Sequence, residues 1–524
     1  MALAVTNLFR LSRAGFTLAR HGALLPADQQ AQLPAPARVA LKLCQIGNNK
    51  SEAGQSNRIS AALSALGPSY IKLGQFLATR PDVIGAKRAF ELKVLQDKLP
   101  PFSMEEAKAI VRAELGKPVE ELFTSFSAPV AAASVAQVHK ATTADGKTLA
   151  VKILRPGVEK RFAADIDSFG FAARQMERFS KEGKRLRPVA AVSMLEQSMK
   201  LELDLRMEAA AISEMKGNTA EDPEFRLPSV DWARTSKRVL TTEWIDGTPM
   251  ADVAALKAKG FDLNHLADVI IQSFLRHAIR DGFFHADMHQ GNLMVDDRGN
   301  LVALDFGIMG RLGMKERIFL AEILHGFITK DYYRVAEVHF DAGYVPATQD
   351  VRNFAQAIRA IGEPIMDLPA DQISMARLLT QLFEVTEQFD MQTQPQLLLL
   401  QKTMVVVEGV ARTLNPNLNM WVTAEPVVRG WIERHLGPLG KIEEAGESAK
   451  SLARLALKLP PMLEEASKAT SLLSSIARDG TLKLDDETTA AIARQQGSRS
   501  WWQTAALSAG ALALVIIAWK MVWQ

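Results

Sequence analysis

Apolar positions change their period along this chain, and the changes outline its organisation. Residues 36–120 carry helical spacing interrupted at Pro68, Pro81 and Pro100-Pro101. From Ser134 to Lys140 (SVAQVHK) and from Thr148 to Leu154 (TLAVKIL) the pattern turns to β-formers. Asp145-Gly146 between them is a turn signal, so the two segments predict a hairpin. A helical stretch is expected from about Val189 to Met215, a strand over RVLTTEWIDG (238–247), and mainly helices from about Asp262. The run LLLLQKTMVVVEGVA from Leu397 is broken by Gln401, Lys402 and Glu408, and so reads as a core helix. A hairpin, a helix, further strands and then a helical lobe is the order of an α+β, protein-kinase-like bilobal fold. No internal repeat is found.

The two ends carry different patterns. WWQTAALSAGALALVIIAW, from Trp501 to Trp519, has no charge, and at about 1.5 Å per residue it would span roughly 28 Å as a helix. Tryptophans at both ends suit two interfaces. Arg494 and Arg499 before it, against only Lys520 after it, favour a cytoplasmic body. The first residues, MALAVTNLFRLSRAGFTLARHGALLP, hold Arg10, Arg13 and Arg20 and no acid before Asp28, without the apolar core of a secretory signal. They fit a basic amphipathic helix on an anionic membrane, a transit peptide, or a solvated helix packed on the body. The expected domains are a basic segment 1–35, a helical extension 36–125, a kinase-like ATP-binding domain 126–440, a helical tail 441–500 and a transmembrane helix 501–523.

Composition narrows the classes. The 524 residues include 62 basic and 59 acidic side chains, too balanced for a whole-surface nucleic-acid binder. The single cysteine, Cys44, excludes an internal disulfide framework and a multi-cysteine zinc site, and reads as a packing residue.

Candidate chemistry then falls on the predicted frame. A phosphoryl-transfer site must neutralise a triphosphate, hold Mg²⁺ and orient the attacking group. Lys152 lies in the second hairpin strand, where a kinase carries its phosphate-contacting lysine. Asp305 of Asp-Phe-Gly follows LVAL and would face Mg²⁺ from a strand end. Asp287 and Asn292 stand five apart in HADMHQGN, the spacing of a catalytic base and a second metal ligand. Glu196, from a helix that also offers Glu202, Asp204 and Glu208, is the expected partner of Lys152. Glu243, in the strand before the helical lobe, is a further candidate for ATP binding.

Together YIKLGQ, PVAAASVAQVHKA, VKILRPG, LELDLRMEA, HADMHQGN and DFG resemble the UbiB family of atypical kinase-like proteins, which support ubiquinone biosynthesis. The resemblance covers roughly residues 60 to 310. It implies that Lys72 and Gln75 form the KxGQ motif of an N-terminal helical extension folded over the site where a peptide would dock. It also implies that Ala131, Ala132, Ala133 and Ser134 form the alanine-rich nucleotide loop, and that Glu202 and Asp204 form an ExD motif contacting the KxGQ helix. Lys152, Glu196, Asp287, Asn292 and Asp305 fall on the kinase-type positions. Bacterial members often end in two membrane spans, whereas this chain has length for one, and Ala136 stands where some relatives carry glycine.

The residues argue separately against an ordinary protein kinase. DFG runs almost directly into a helix expected near Met314, with no Ala-Pro-Glu signature, and Ala286 replaces the catalytic-loop arginine. Alanines 131–133 disfavour the positive φ that glycine allows, so they should cradle a nucleotide differently. The expected protein is a Mg²⁺-dependent atypical kinase or ATPase binding ATP or ADP, anchored by a single pass in a bacterial inner membrane, with a mitochondrial one as the alternative. Its expected partners are membrane lipid and quinone-precursor lipids, with other ubiquinone-biosynthesis proteins as further candidates and no nucleic acid. A true kinase for a small molecule or partner protein, and a nucleotide-sensing scaffold, are the rival classes.

Overall fold

Alternation decides the first lobe. In a computed structural model, strands β1 (Ser125–Ala132), β2 (Ala136–Thr142) and β3 (Thr148–Leu154) form an antiparallel meander that β5 (Val239–Glu243) extends, in the order β1-β2-β3-β5. Leu149, Val151 and Ile153 of β3 are buried on one face, and period two turns Lys152 to the other. The first face packs on Ala107, Ile110 and Val111 of α4 (Met104–Leu115), with Phe123 and Val239 completing the cluster. Helix α4 starts at a reciprocal cap between Ser103 and Glu106 and stops at Gly116, whose φ of 71° suits glycine.

The structure describes residues 2–23, 55–78, 92, 99–179, 187–222, 224–366, parts of 381–391 and 395–435. The expected transmembrane helix at 501–523 and the tail at 441–500 lie outside the described residues. Among the described residues, no helix is long and apolar enough to cross a membrane.

Before the sheet, α1 (Ala2–Arg20), α2 (Gln55–Leu66) and α3 (Pro68–Ala78) collect against α5 (Val158–Phe179). Tyr70 meets Phe169 edge-on at 5.0 Å, and Arg161 donates to the Leu66 carbonyl at 2.7 Å. Arg10 and Asn7 tie α1 to Asp165 and Ser168 of α5. The outer side of α1 keeps Leu8, Phe9 and Phe16 exposed. The single helix expected over 189–215 is in fact two, α6 (Pro188–Glu202) and α7 (Leu205–Asn218). Asp204 breaks them apart by capping α7 through the N–H of Arg206.

The second lobe begins with a small sheet ordered β4-β9-β8-β6: β4 (Phe225–Arg226), β6 (Gly247–Pro249), β8 (Leu293–Asp296) and β9 (Leu301–Ala303). A two-stranded ribbon of β7 (Phe283–His285) and β10 (Met309–Arg311) leads into the loop of residues 286–292. At the centre is α8 (Leu263–Leu275), buried nearly all round, where each fully covered Leu, Ile or Phe contributes about 1.5–3 kcal/mol of transfer free energy. Against it lie α12 (Pro395–Leu414) and α13 (Met420–His435), and α9 (Met314–Ile328) packs on α13, while α10 (Tyr332–Asp341) and α11 (Val351–Met366) form a separate cluster around Phe354.

Candidate nucleotide site

Lys152 leaves the cleft face of β3 between Val138 and Leu240, its register partners on β2 and β5. Its ammonium donates to both carboxylate oxygens of Glu208, at 2.8 and 2.9 Å, and reaches Asp305 Oδ2 at 3.3 Å. Burial alone would push the lysine down, but Asp305 and Glu208 together hold it well above the ordinary lysine range, so it is a fixed cation. Burial pushes the Asp305 carboxyl up, and the Lys152 ammonium, the Gly307 N–H and the more distant Lys72 more than reverse this. Asp305 is therefore an anion, although enclosed by the cleft, and about half of its side chain stays accessible.

The glutamate of this pair corrects the expectation. Glu196 is 42% exposed and pairs with Lys200 one turn along α6, so it does not reach Lys152. Glu208 is 7% exposed and sits in the α7 stripe Leu205, Glu208, Ala209, Ile212, Met215. A single helix over 189–215 would have a different phase. The break at Leu203-Asp204 starts a new helical phase, and only α7 turns a glutamate to the sheet. A carboxylate inside an otherwise apolar i, i+4, i+7 stripe was the available signal.

The extension's motif meets the cleft through its lysine. Lys72 is buried on α3 and forms an ion pair with Glu202 at the end of α6. Gln75 is half-buried one turn further on. Asp204 makes no such contact with α3. It caps α7 and holds the Arg206 guanidinium at 2.6 and 2.9 Å, which keeps its carboxyl below the usual range.

Ala131 and Ala132 belong to β1, opposite Val138 and Gln137, and the Ala133 N–H donates to the Ala136 carbonyl at 2.8 Å. The alanine loop is thus a tight strand connection, with Ser134 buried and no residue at positive φ. Sequence reasoning missed Arg155. From the end of β3 its guanidinium donates to the Ala133 carbonyl at 2.8 and 3.0 Å and to the Pro100 carbonyl at 2.8 Å. It fastens the loop from behind to the segment preceding α4. Glu243 ends β5, where its carboxylate holds Arg226 and accepts the Ser229 N–H at 3.2 Å, an attachment between β5 and β4.

Across the cleft, residues 286–292 form the loop between β7 and β8. Asn292 donates its amide to the Asp287 carbonyl at 3.1 Å, leaving its amide oxygen for another partner. Asp287 lies 3.7 Å from His289 and 3.9 Å from Lys402. Phe306 is buried against His285, which fixes the start of the segment leading to α9. That helix begins at Met314, so residues 308–313 are all that separate it from Asp-Phe-Gly. The donor set suits a hard cation: one carboxylate, Asp305, and one amide oxygen, Asn292, fit Mg²⁺, which takes few protein ligands and completes its shell with phosphate and water. Among the described residues there is no group of three or more His, Cys, Asp or Glu suited to a metal.

Comparison with known proteins gives the family of this chain. Residues 94–339 match the ABC1 atypical kinase-like domain, and residues 358–419 match the UbiB helical domain. The chain is 38% identical over 504 residues to the probable protein kinase UbiB of Marinobacter nauticus, covering 95% of this chain and 90% of that one. It is 40% identical over 424 residues to the protein of the same name from Azotobacter vinelandii, covering 80% and 79%. The solved complex of Rv3197 with erythromycin from Mycobacterium tuberculosis shares 25% identity at a TM-score of 0.48, over 76% of this chain and 99% of that one.

Proposed function

Since the chain belongs to the UbiB family of atypical kinase-like proteins, we propose that it is a Mg²⁺-dependent ATPase-type member whose turnover of ATP supports ubiquinone biosynthesis at a membrane. The observation that carries the reading is the Lys152–Glu208–Asp305 cluster facing a loop that holds Asp287 and Asn292. Lys152 neutralises phosphate charge, and Glu208 keeps its ammonium in place. Asp305 and Asn292 would hold the metal, which when bound offsets charge on the β- and γ-phosphates. Asp287 orients the attacking hydroxyl and takes its proton. The alanine loop, fastened by Arg155, closes over the nucleotide as a stiff connection.

Two features favour water or a small hydroxyl compound over a peptide as acceptor. The segment 308–313 is too short for an activation-loop platform, and the extension lays Lys72 within electrostatic reach of Asp305. Support for a membrane site comes from α1, whose outer face combines Leu8, Phe9 and Phe16 with Arg13 and Arg20 and carries no acid. The proposed anchor at 501–523 would add a second, stronger hold. In this reading ATP turnover helps quinone-precursor lipids leave the bilayer for soluble enzymes.

The test follows γ-labelled phosphate with the full chain in anionic vesicles, with and without a phenolic quinone precursor, and with Asp305→Asn as control. Label released as inorganic phosphate, raised by lipid or phenol and lost in the control, supports the proposal. Label fixed on a protein or small molecule makes it a kinase instead.

A further inference from the structure

The loop from His285 to Asn292, HADMHQGN, contains neither lysine nor arginine, and Ala286 is fully buried. Its carboxylate is nevertheless placed between two nitrogens. His289 Nε2 lies 3.7 Å from Asp287 Oδ2, and Lys402 Nζ lies 3.9 Å from Oδ1. Lys402 comes from α12, well over a hundred residues later and inside the stretch matching the UbiB helical domain. Thr403, the next residue, is completely buried. Its hydroxyl lies 3.0 Å from the Ala286 carbonyl and 2.8 Å from the Leu399 carbonyl, so its one proton is shared between loop and helix.

Adjacent residues on a helix point about 100° apart, so for both to reach one short loop the helix must run directly along it. The same helix is rigidly based: Leu400, Val407, Val410, Ala411 and Leu414 are buried in the main core with α8. A partly exposed pair near 4 Å contributes little to stability by itself. Joined to a buried hydroxyl bond one residue away, it fixes the direction of the carboxylate.

We propose that α12 braces the catalytic loop, with Lys402 acting as a positioning residue that aims the Asp287 carboxylate and Thr403 fixing the backbone from which it projects. Lys402 thereby supplies from outside the kinase-like domain a cation that the loop's own sequence lacks. The kinetic part of this inference rests on the ATP-turnover reading above; the structural part does not.

The experiment compares full-chain wild type, Lys402→Met, Lys402→Arg and Thr403→Val in vesicles. Lys402→Met should lower kcat by about tenfold while nucleotide affinity stays within about threefold, and Lys402→Arg should recover most of the loss. Hydrogen exchange over residues 285–293 without nucleotide should quicken by about threefold in Lys402→Met and Thr403→Val. Unchanged kcat in Lys402→Met, or affinity falling in parallel with kcat, overturns the inference, because the lysine would then be idle or a phosphate clamp. A wild type that turns over no ATP defeats the ATPase reading, and loop exchange then decides: quickened exchange upholds the brace, and unchanged exchange removes it.

Discussion

Glu208→Gln is the most direct test of how the cleft is built. It keeps the shape and one hydrogen bond to Lys152 but removes the charge that now accepts at 2.8 and 2.9 Å. Removing one partner from a buried ion pair generally costs about 3–5 kcal/mol. Here Asp305 stands 3.3 Å away on the other side and the glutamine oxygen still accepts, so roughly half should survive. The expected loss is about 2 kcal/mol, or about thirtyfold in nucleotide affinity or turnover. Part of it arises because Lys152, freed on one side, draws towards the carboxylate proposed to hold the metal. Titration of a fluorescent ATP analogue with Mg²⁺ into wild type, Glu208→Gln and Glu196→Ala reads this out. The Glu196 pair with Lys200 is an exposed i, i+4 contact of about 0.3–0.5 kcal/mol, so Glu196→Ala should leave affinity within about twofold. If Glu196→Ala weakened binding as much as Glu208→Gln, the assignment of the pair would be wrong.

Three other outcomes are expected. Lys72→Met leaves the largely buried Glu202 carboxylate without this cation and should destabilise the α3–α6 contact by about 3 kcal/mol in urea unfolding. Lys72→Met/Glu202→Gln together should cost less than the sum of the single changes. Gly310→Ala drives a Cβ into the ring of Phe284, its register partner and fully buried, and such overpacking should cost about 1–3 kcal/mol, visible as a lower Tm with no change in nucleotide specificity. Glu408 is buried among apolar side chains with Arg412 3.8 Å away, and burial raises its carboxyl above the ordinary range. Its stabilising contribution is therefore fully present below the unfolded-state pKa and fades as pH rises through the folded one. The Tm of Glu408→Gln should gain on that of wild type between pH 5 and pH 8, and a gap that stays constant with pH would contradict this assignment.

Much of the frame was legible because it rests on local regularities. Period-two burial in TLAVKIL and the Asp145-Gly146 turn define the hairpin, and the same alternation sends Lys152 to the cleft face. The helix at Met314 follows from its apolar spacing, and the run from Leu397 reads as a core helix because its three polar interruptions forbid a lipid-facing one. Asp287, Asn292 and Asp305 could be named because their spacing is fixed by loop and strand geometry within a few residues.

What stayed hidden depends on phase and on distance along the chain. Whether Glu196 or Glu208 meets Lys152 turns on a two-residue break at Leu203-Asp204, which resets the helical phase without changing composition. Arg155 looks like any basic residue after a strand until the fold brings the Ala133 and Pro100 carbonyls to one guanidinium. Lys402 reads in sequence as a flaw in an apolar helix, and only packing of α12 behind the loop sets it beside Asp287. The sequence by itself determined most of the secondary elements and which chemical groups they carry, because propensity and periodicity act over a few residues. Tertiary structure alone decided which charges face one another, because a buried ion needs a partner and the chain can supply one from any distance.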